Sequence, residues 1–240
     1  MKYKTVLITG ASRGIGKSTA EAFAAKGYHL ILICRNSQPA LEELCTSLQH
    51  RYPIKCDMFI GDVGDEHFVS SLFQQIDTID ILVNNAGISH FGLLQDTSLD
   101  DWNRIISTNL TSAFLFSKYA IPFMLQNGQG KIINLSSSWG VVGASFETAY
   151  SASKSGLNGL TRALAKELAP SNIQVNAIAC GVIDTEMNQS LSIEEIESLK
   201  ENIPAGRLGT SQEVAAMILQ LASASSYLTG QVIGFDGGWI

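Results

Sequence analysis

Seven short apolar stretches, at 5–9, 29–34, 55–60, 79–84, 131–136, 174–179 and 232–235, alternate with segments of helical character. The stretches are nearly continuous in apolar residues, the pattern of strands buried on both faces of a parallel sheet. The segments between them, 15–26 and 102–125 for example, repeat apolar residues every three to four positions, as helices lying on such a sheet do. Strand–helix alternation restricts the chain to parallel strands joined by right-handed crossovers. The expected fold is α/β, a doubly wound three-layer sandwich with a mostly parallel seven-stranded sheet. No linker, low-complexity segment or tandem repeat interrupts residues 1–240, so one domain is expected.

The first strand runs directly into Thr9-Gly10-Ala11-Ser12-Arg13-Gly14-Ile15-Gly16, and a helical pattern follows at once. Glycines at a strand-to-helix turn permit a tight bend and close approach of a phosphate, whose charge meets the helix N-terminus. A glycine cluster alone can be only a turn. At the first strand of an alternating chain it reads as the dinucleotide turn of a Rossmann sheet, with its first two glycines set further apart than in the commonest G-x-G-x-x-G spacing. Cofactor choice is expected at the end of the second strand. There an NAD site usually offers a carboxylate to the ribose hydroxyls, but this chain has Cys34 followed by Arg35. A guanidinium suits a 2′-phosphate, and Arg13 can assist it, so NADPH/NADP+ is expected over NADH. A plain surface arginine is the alternative reading of Arg35.

Composition narrows the partners. A net charge of −6 argues against nucleic acid or an anionic membrane. No apolar run reaches the length of a membrane span, and the opening residues read as a strand rather than an export signal. Four cysteines without metal spacing and four scattered histidines point to a reduced, cytoplasmic chain with no metal site.

Tyr150 and Lys154 are four residues apart in a helical pattern and so share a face. An ammonium beside a phenol favours the phenolate, and the expectation is a tyrosine whose pKa is pulled down toward working pH. Tyr150 would then donate a proton to a developing alkoxide, with Ser137 as a second hydrogen-bond donor. Alone, Tyr-x-x-x-Lys is a weak motif that any amphipathic helix can carry.

The glycine turn, Asn84-Asn85-Ala86-Gly87, Asn109, Ser137 and Tyr150-x-x-x-Lys154 stand together in one order, and the ending 232–239 completes the set. In combination the chain resembles the short-chain dehydrogenase/reductase family over essentially its whole length, most closely its 3-oxoacyl-[acyl-carrier-protein] reductases. The resemblance implies catalytic roles for Asn109, Ser137, Tyr150 and Lys154, with Asn109 holding a water in a proton relay from Lys154. It implies cofactor contacts from Gly10, Ser12, Arg13, Gly14, Ile15, Gly16, Arg35, Asp62, Val63, Asn85, Ala86, Gly87, Tyr150, Lys154, Gly181, Ile183 and Thr185. Asp62 and Val63 would flank the adenine, Lys154 the nicotinamide ribose, and Thr185 the carboxamide. It also implies a small carbonyl substrate, here a 3-oxoacyl thioester or another small ketone, alcohol or sugar, and a homotetramer. Ser137, Trp139, Phe146, Tyr150 and Met187 are the expected substrate contacts, with Phe91 and Val141 as further apolar candidates.

Three features depart from that pattern or extend it. Cys180 stands where the family usually has proline, which suggests a looser turn and a thiol that is either oxidation-sensitive or buried and inert. Segments 127–130 and 170–172, aligned with the basic mouth that acyl-carrier-protein reductases present to an acidic partner, contain no Arg or Lys, so docking of an acyl carrier protein is left open. Residues 183–209 carry an apolar pattern at Ile193, Ile196, Leu199 and Ile203, which reads either as a surface helix or as a substrate lid. Phe114, Leu115 and Phe116 and the ending Trp239-Ile240 are the expected subunit contacts, or else core.

Overall fold

The computed structural model describes residues 4–188 and 192–240. Strand β1 (Thr5–Thr9) is followed by α1 (Gly14–Ala24), β2 (His29–Cys34), α2 (Gln38–Arg51), β3 (Cys56–Ile60), α3 (Glu66–Phe73) and β4 (Ile81–Asn84). The chain continues through α4 (Leu99–Ile106), α5 (Ser112–Asn127), β5 (Gly130–Ser137), α6 (Trp139–Val142), α7 (Thr148–Leu168) and β6 (Ile173–Cys180). Then come β7 (Ile183–Asp184), α8 (Ile193–Asn202), β8 (Gly209–Thr210), α9 (Ser211–Ser223) and β9 (Val232–Phe235). The main sheet has the order β3-β2-β1-β4-β5-β6-β9, and every adjacent pair is parallel. Chain order reverses between β1 and β4, which opens a crevice at the carboxyl ends of the strands.

Strand alternation divides the core in two. Val6 and Ile8 face one side with Phe23 of α1, Leu41 and Leu48 of α2, and Val214 and Ile218 of α9. Leu7 faces the other with Val69 and Leu72 of α3, Phe116 of α5 and Leu168 of α7. Successive side chains of one strand thus feed opposite helix layers. This is why β1 reads as an unbroken apolar run.

Two strands start later than their apolar runs suggest, for a local reason in each case. The His29 imidazole accepts the Lys55 N–H at 3.0 Å, so the β2–β3 ladder begins at Cys56 rather than at residue 55. The Asp80 carboxylate accepts the Thr5 N–H at 2.8 Å, and β4 begins at Ile81 rather than at residue 79.

The helix expected at 102–125 is two helices with a wider turn between them. It starts at Leu99 because Ser98 Oγ accepts the Asp101 N–H at 3.0 Å, and it stops at Asn127 because Gly128 turns left-handed at φ 65. Between α4 and α5, Ser107–Thr111 form a π-helical segment. The Ser112 N–H reaches Ser107 O, and the bypassed Thr108 carbonyl is taken by Ser112 Oγ at 2.5 Å.

Segment 183–209 is pinched at its base by the β7–β8 pair, Ile183 opposite Gly209 and Asp184 opposite Thr210. Its helix α8 begins with a Ser192–Glu195 capping box. Ile193 is exposed, Ile196 and Leu199 are half-buried, and Ile203 is buried. Leu115 and Phe116 belong to the core, not to a surface, and of that expected interface Phe114 and Ile240 are exposed. Trp239 packs on Trp139 with ring centres 4.8 Å apart. No helix among the described residues is long and apolar enough to cross a membrane.

Candidate active site

The crevice at the strand ends is a cleft of about 570 Å³. One end is built by the glycine turn. Thr9 Oγ1 accepts the N–H groups of Asn85 and Ala86 at 3.0 Å each, and the Asn85 amide donates to Thr9 O at 2.9 Å and Gly10 O at 3.1 Å. The ends of β1 and β4 are thereby tied together. Gly10 and Gly14 hold positive φ angles of 68 and 51. Gly16 is needed for packing instead, since a β-carbon there would stand 2.2 Å from Gly10 O. It lets α1 sit under the turn and does not line the cleft, whereas Gly10, Ser12, Arg13, Gly14 and Ile15 do.

Helix α1 has no side-chain cap and no acidic residue in its first turn, so its leading N–H groups remain available to an anion. Arg13 makes no ion pair among the described residues. Arg35 pairs with Asp62 at 3.1 Å, both side chains well exposed. Asp62 also accepts the Gly64 N–H at 2.9 Å, and Val63 beside it is buried. Thr185 and Glu186 close over Gly14, where an added β-carbon would lie 3.5 Å from Thr185 Cγ2 and 3.4 Å from Glu186 Oε2.

The other end is built by β5 and α7. Ser137, the last residue of β5, accepts the Trp139 N–H at 3.2 Å, and its hydroxyl is near enough to the Tyr150 phenol to favour the phenolate. Lys154, one turn after Tyr150, is buried, and its Nζ donates to Leu135 O at 2.6 Å. That nitrogen lies 5.7 Å from the centre of the Tyr150 ring. The electrostatics differ from the sequence expectation. Burial pushes the Tyr150 phenol up from its usual value, with the nearby Ser137 hydroxyl opposing, and burial pulls Lys154 down to about 8. Desolvation outweighs any pull of the ammonium on the phenol.

Asn109 sits in the π segment, buried, and does not line the cleft. Its amide accepts the Ile88 N–H at 2.8 Å and donates to Ile88 O at 2.9 Å and Ser153 Oγ at 3.0 Å. It thereby ties the loop after β4 to α7. Gly87 borders both groups: a β-carbon there would lie at ordinary contact distance, 3.4 Å from Lys154 Nζ and 3.5 Å from Asn109 Oδ1.

Asn85, Ala86, Gly87, Gly181, Ile183, Thr185, Trp139 and Met187 all line the cleft, as do Arg35, Asp62 and Val63. Phe146, Phe91 and Val141 do not. Phe146 turns outward at φ 64 and stacks on Phe91, ring centres 5.0 Å apart and planes within 10°. Motif reading missed Ser138, Glu147, Glu186 and Trp239, which also line the cleft. Ser138 Oγ is buried with no partner among the described residues. Only the run of three serines pointed toward it.

Cys180 does not loosen its turn. Its carbonyl accepts the Ser138 N–H at 2.8 Å, and the next residue, Gly181, donates to Phe235 O at 3.0 Å. The thiol is buried and pushed up to about 12, which leaves it protonated and inert at neutral pH. All four cysteines are free and buried. No group of three His, Cys, Asp or Glu side chains among the described residues is placed to hold a metal ion. Segments 127–130 and 170–172 lie at the amino edge of the sheet, one strand length from Ser137, and not at the mouth of this cleft. Lys131 is turned inward, its Nζ donating to Ala224 O at 2.6 Å.

Residues 10–240 match the family described as enoyl-(acyl carrier protein) reductase. A 3-oxoacyl-[acyl-carrier-protein] reductase of Thermotoga maritima is 41% identical, over 99% of this chain and 98% of its own. The chain belongs to the short-chain dehydrogenase/reductase family. It is an oxidoreductase of the CH–OH/C=O type. Among solved structures, a short-chain type dehydrogenase/reductase from Mycobacterium marinum superposes with a TM-score of 0.91 at 36% identity, covering 98% of this chain and 95% of that one. YwfH, an NADPH-dependent reductase of bacilysin biosynthesis, superposes with a TM-score of 0.94 at 27% identity, covering 100% and 99%.

The residues present fit a nicotinamide dinucleotide. The glycine turn is cleared of β-carbons, the first turn of α1 is uncapped, and two arginines stand beside it. At the far end an orphaned hydroxyl and a buried lysine line the same cleft.

Proposed function

We propose that this chain reduces a ketone to a secondary alcohol with NADPH, Tyr150 donating the proton and Ser137 holding the same oxygen. The observation that carries the reading is that Ser137 and Tyr150 line the cleft together, with Lys154 buried one turn behind Tyr150. Gly10–Ile15 would hold the pyrophosphate, Arg13 and Arg35 the 2′-phosphate, and Asp62 and Val63 the adenine. Asn85–Gly87 and Lys154 would hold the nicotinamide ribose, and Gly181, Ile183 and Thr185 the carboxamide. The nicotinamide supplies a hydride. Ser137 and Tyr150 bring two O–H donors to the same cleft, and both would stabilise charge developing on a carbonyl oxygen held between them. A tyrosine held well above its usual pKa stays protonated and serves as an acid at neutral pH. Lys154, near 8, is poised to return a proton to the phenol. Asn109 acts by fixing the loop that carries Ile88 against α7.

The substrate we propose is a 3-oxoacyl thioester, and the reductase relative at 41% identity supports it. The segment between β7 and β8 serves as a lid, because Thr185, Glu186 and Met187 at its start line the cleft. A cytoplasmic homotetramer is the assembly this family membership supports. The substrate is tested by following NADPH absorbance with acetoacetyl-acyl carrier protein and with acetoacetyl-CoA. Turnover of either supports a 3-oxoacyl thioester, and their ratio tells whether a carrier protein docks. Failure with both, alongside turnover of a polyol ketone, would replace the thioester.

A further inference from the structure

Glu147 lines the cleft three residues before Tyr150, and nothing in the established chemistry uses it. No structural use accounts for it either. It occupies the N-cap position of α7 but makes no side-chain cap, unlike Ser192 on α8 and Thr210 on α9. Its carboxylate has no ion pair or hydrogen bond among the described residues. It is half-buried, and desolvation alone raises its pKa.

The chain just before it is shaped to turn it inward. Phe146 is held at φ 64, a conformation an aromatic residue rarely adopts, and strain of this kind persists where surrounding contacts enforce it. Here the Phe146 carbonyl accepts the Gly92 N–H at 2.8 Å and its ring stacks on Phe91. Phe146 therefore leaves the cleft, and Glu147 lines it beside Tyr150. No cation balances the carboxylate: Lys154 is committed to Leu135 O, and Arg13 and Arg35 stand by the glycine turn. Glu186, the other acidic residue toward the lid, adds charge of the same sign.

We propose that Glu147 is a charge filter on the substrate, admitting ketones whose neighbouring carboxyl is masked as a neutral ester or thioester and rejecting the free oxo-acid anion. The proposal rests on the reading that Tyr150 faces the reacting carbonyl. In a 3-oxo acid the carboxylate lies two carbons from that carbonyl, so seating the anion places like charges together in a poorly hydrated cleft. Repulsion there is far stronger than in water. A masked acyl group carries no such charge and is not repelled by Glu147.

The test compares ethyl acetoacetate with acetoacetate by NADPH consumption. Wild type should prefer the ester in kcat/KM by about a hundredfold or more. In Glu147→Gln that ratio should fall at least tenfold, through a rise for acetoacetate, while Glu147→Asp keeps it. NADPH binding by fluorescence, retained in both variants, shows that they are folded. A readout that needs no variant is competition: acetoacetamide should inhibit ester reduction by wild type at least tenfold more strongly than acetoacetate. A ratio unmoved in Glu147→Gln, or equal inhibition by the two competitors, would overturn the filter while leaving ketone reduction intact. Reduction of neither compound, with no inhibition, would bring it down together with the reading it rests on.

Discussion

The ammonium of Lys154 donates to the carbonyl oxygen of Leu135 at 2.6 Å and has no carboxylate partner among the described residues. A buried cation satisfied only by a backbone carbonyl costs stability, and Lys154 answers by titrating near 8 instead of 10.5. The cost is present in full below pH 8, where Lys154 is charged in both folded and unfolded chains. Above it the folded protein sheds the proton first, so stability rises with pH. Between pH 8 and 9 neither Cys180 nor Tyr150, whose usual values are 9.0 and 10.0, opposes the trend strongly.

The first prediction is therefore a pH-dependent difference between wild type and Lys154→Met. Unfolding of the ligand-free protein by urea should show wild type gaining roughly 1 kcal/mol on the variant from pH 8 to pH 9. A difference that stays flat over that interval would show that Lys154 titrates elsewhere.

Arg35 carries the second. It is paired with Asp62 across an exposed 3.1 Å contact, a weak interaction that a 2′-phosphate can replace. Arg35→Ala should weaken NADPH binding by roughly ten- to a hundredfold and leave NADH within about threefold. Equal losses for the two dinucleotides in a fluorescence titration would assign Arg35 to the surface alone.

Glu186 carries the third. Its carboxylate closes over Gly14 at the uncapped start of α1, where an anion would be bound. Removing that like charge in Glu186→Gln should tighten NADPH roughly two- to fivefold at low salt, and less at high salt. Weaker binding at both ionic strengths would mean that Glu186 helps the cofactor instead of opposing it.

Much of this was legible in the sequence because it is local. The run at Thr5–Thr9, the glycines that follow and the four-residue spacing of Tyr150 and Lys154 each fix their own conformation. What was not legible depends on contacts across the fold. The π segment around Asn109 exists because Ser112 covers a bypassed carbonyl, and no periodicity distinguishes it from an ordinary helix. Phe146 belongs on paper to an apolar pocket, but a left-handed turn stacks it on Phe91 outside. Glu147 takes its place in the cleft, a swap decided by one backbone angle. The raised Tyr150 pKa was missed for a related reason: spacing shows that a lysine is near, but not that it faces Leu135 or that the phenol is desolvated. Cys180 looked like a weakened turn because proline was absent, and two backbone hydrogen bonds hold it anyway.

The central claim is that Tyr150 supplies the proton from a cleft that binds NADPH without it. Steady-state reduction of an acetoacetyl thioester by Tyr150→Phe, paired with NADPH titration of the same preparation, tests this most directly. Turnover should fall by roughly 10²–10⁴-fold with NADPH affinity within about threefold of wild type. A Tyr150→Phe protein that keeps near-normal turnover would contradict the account.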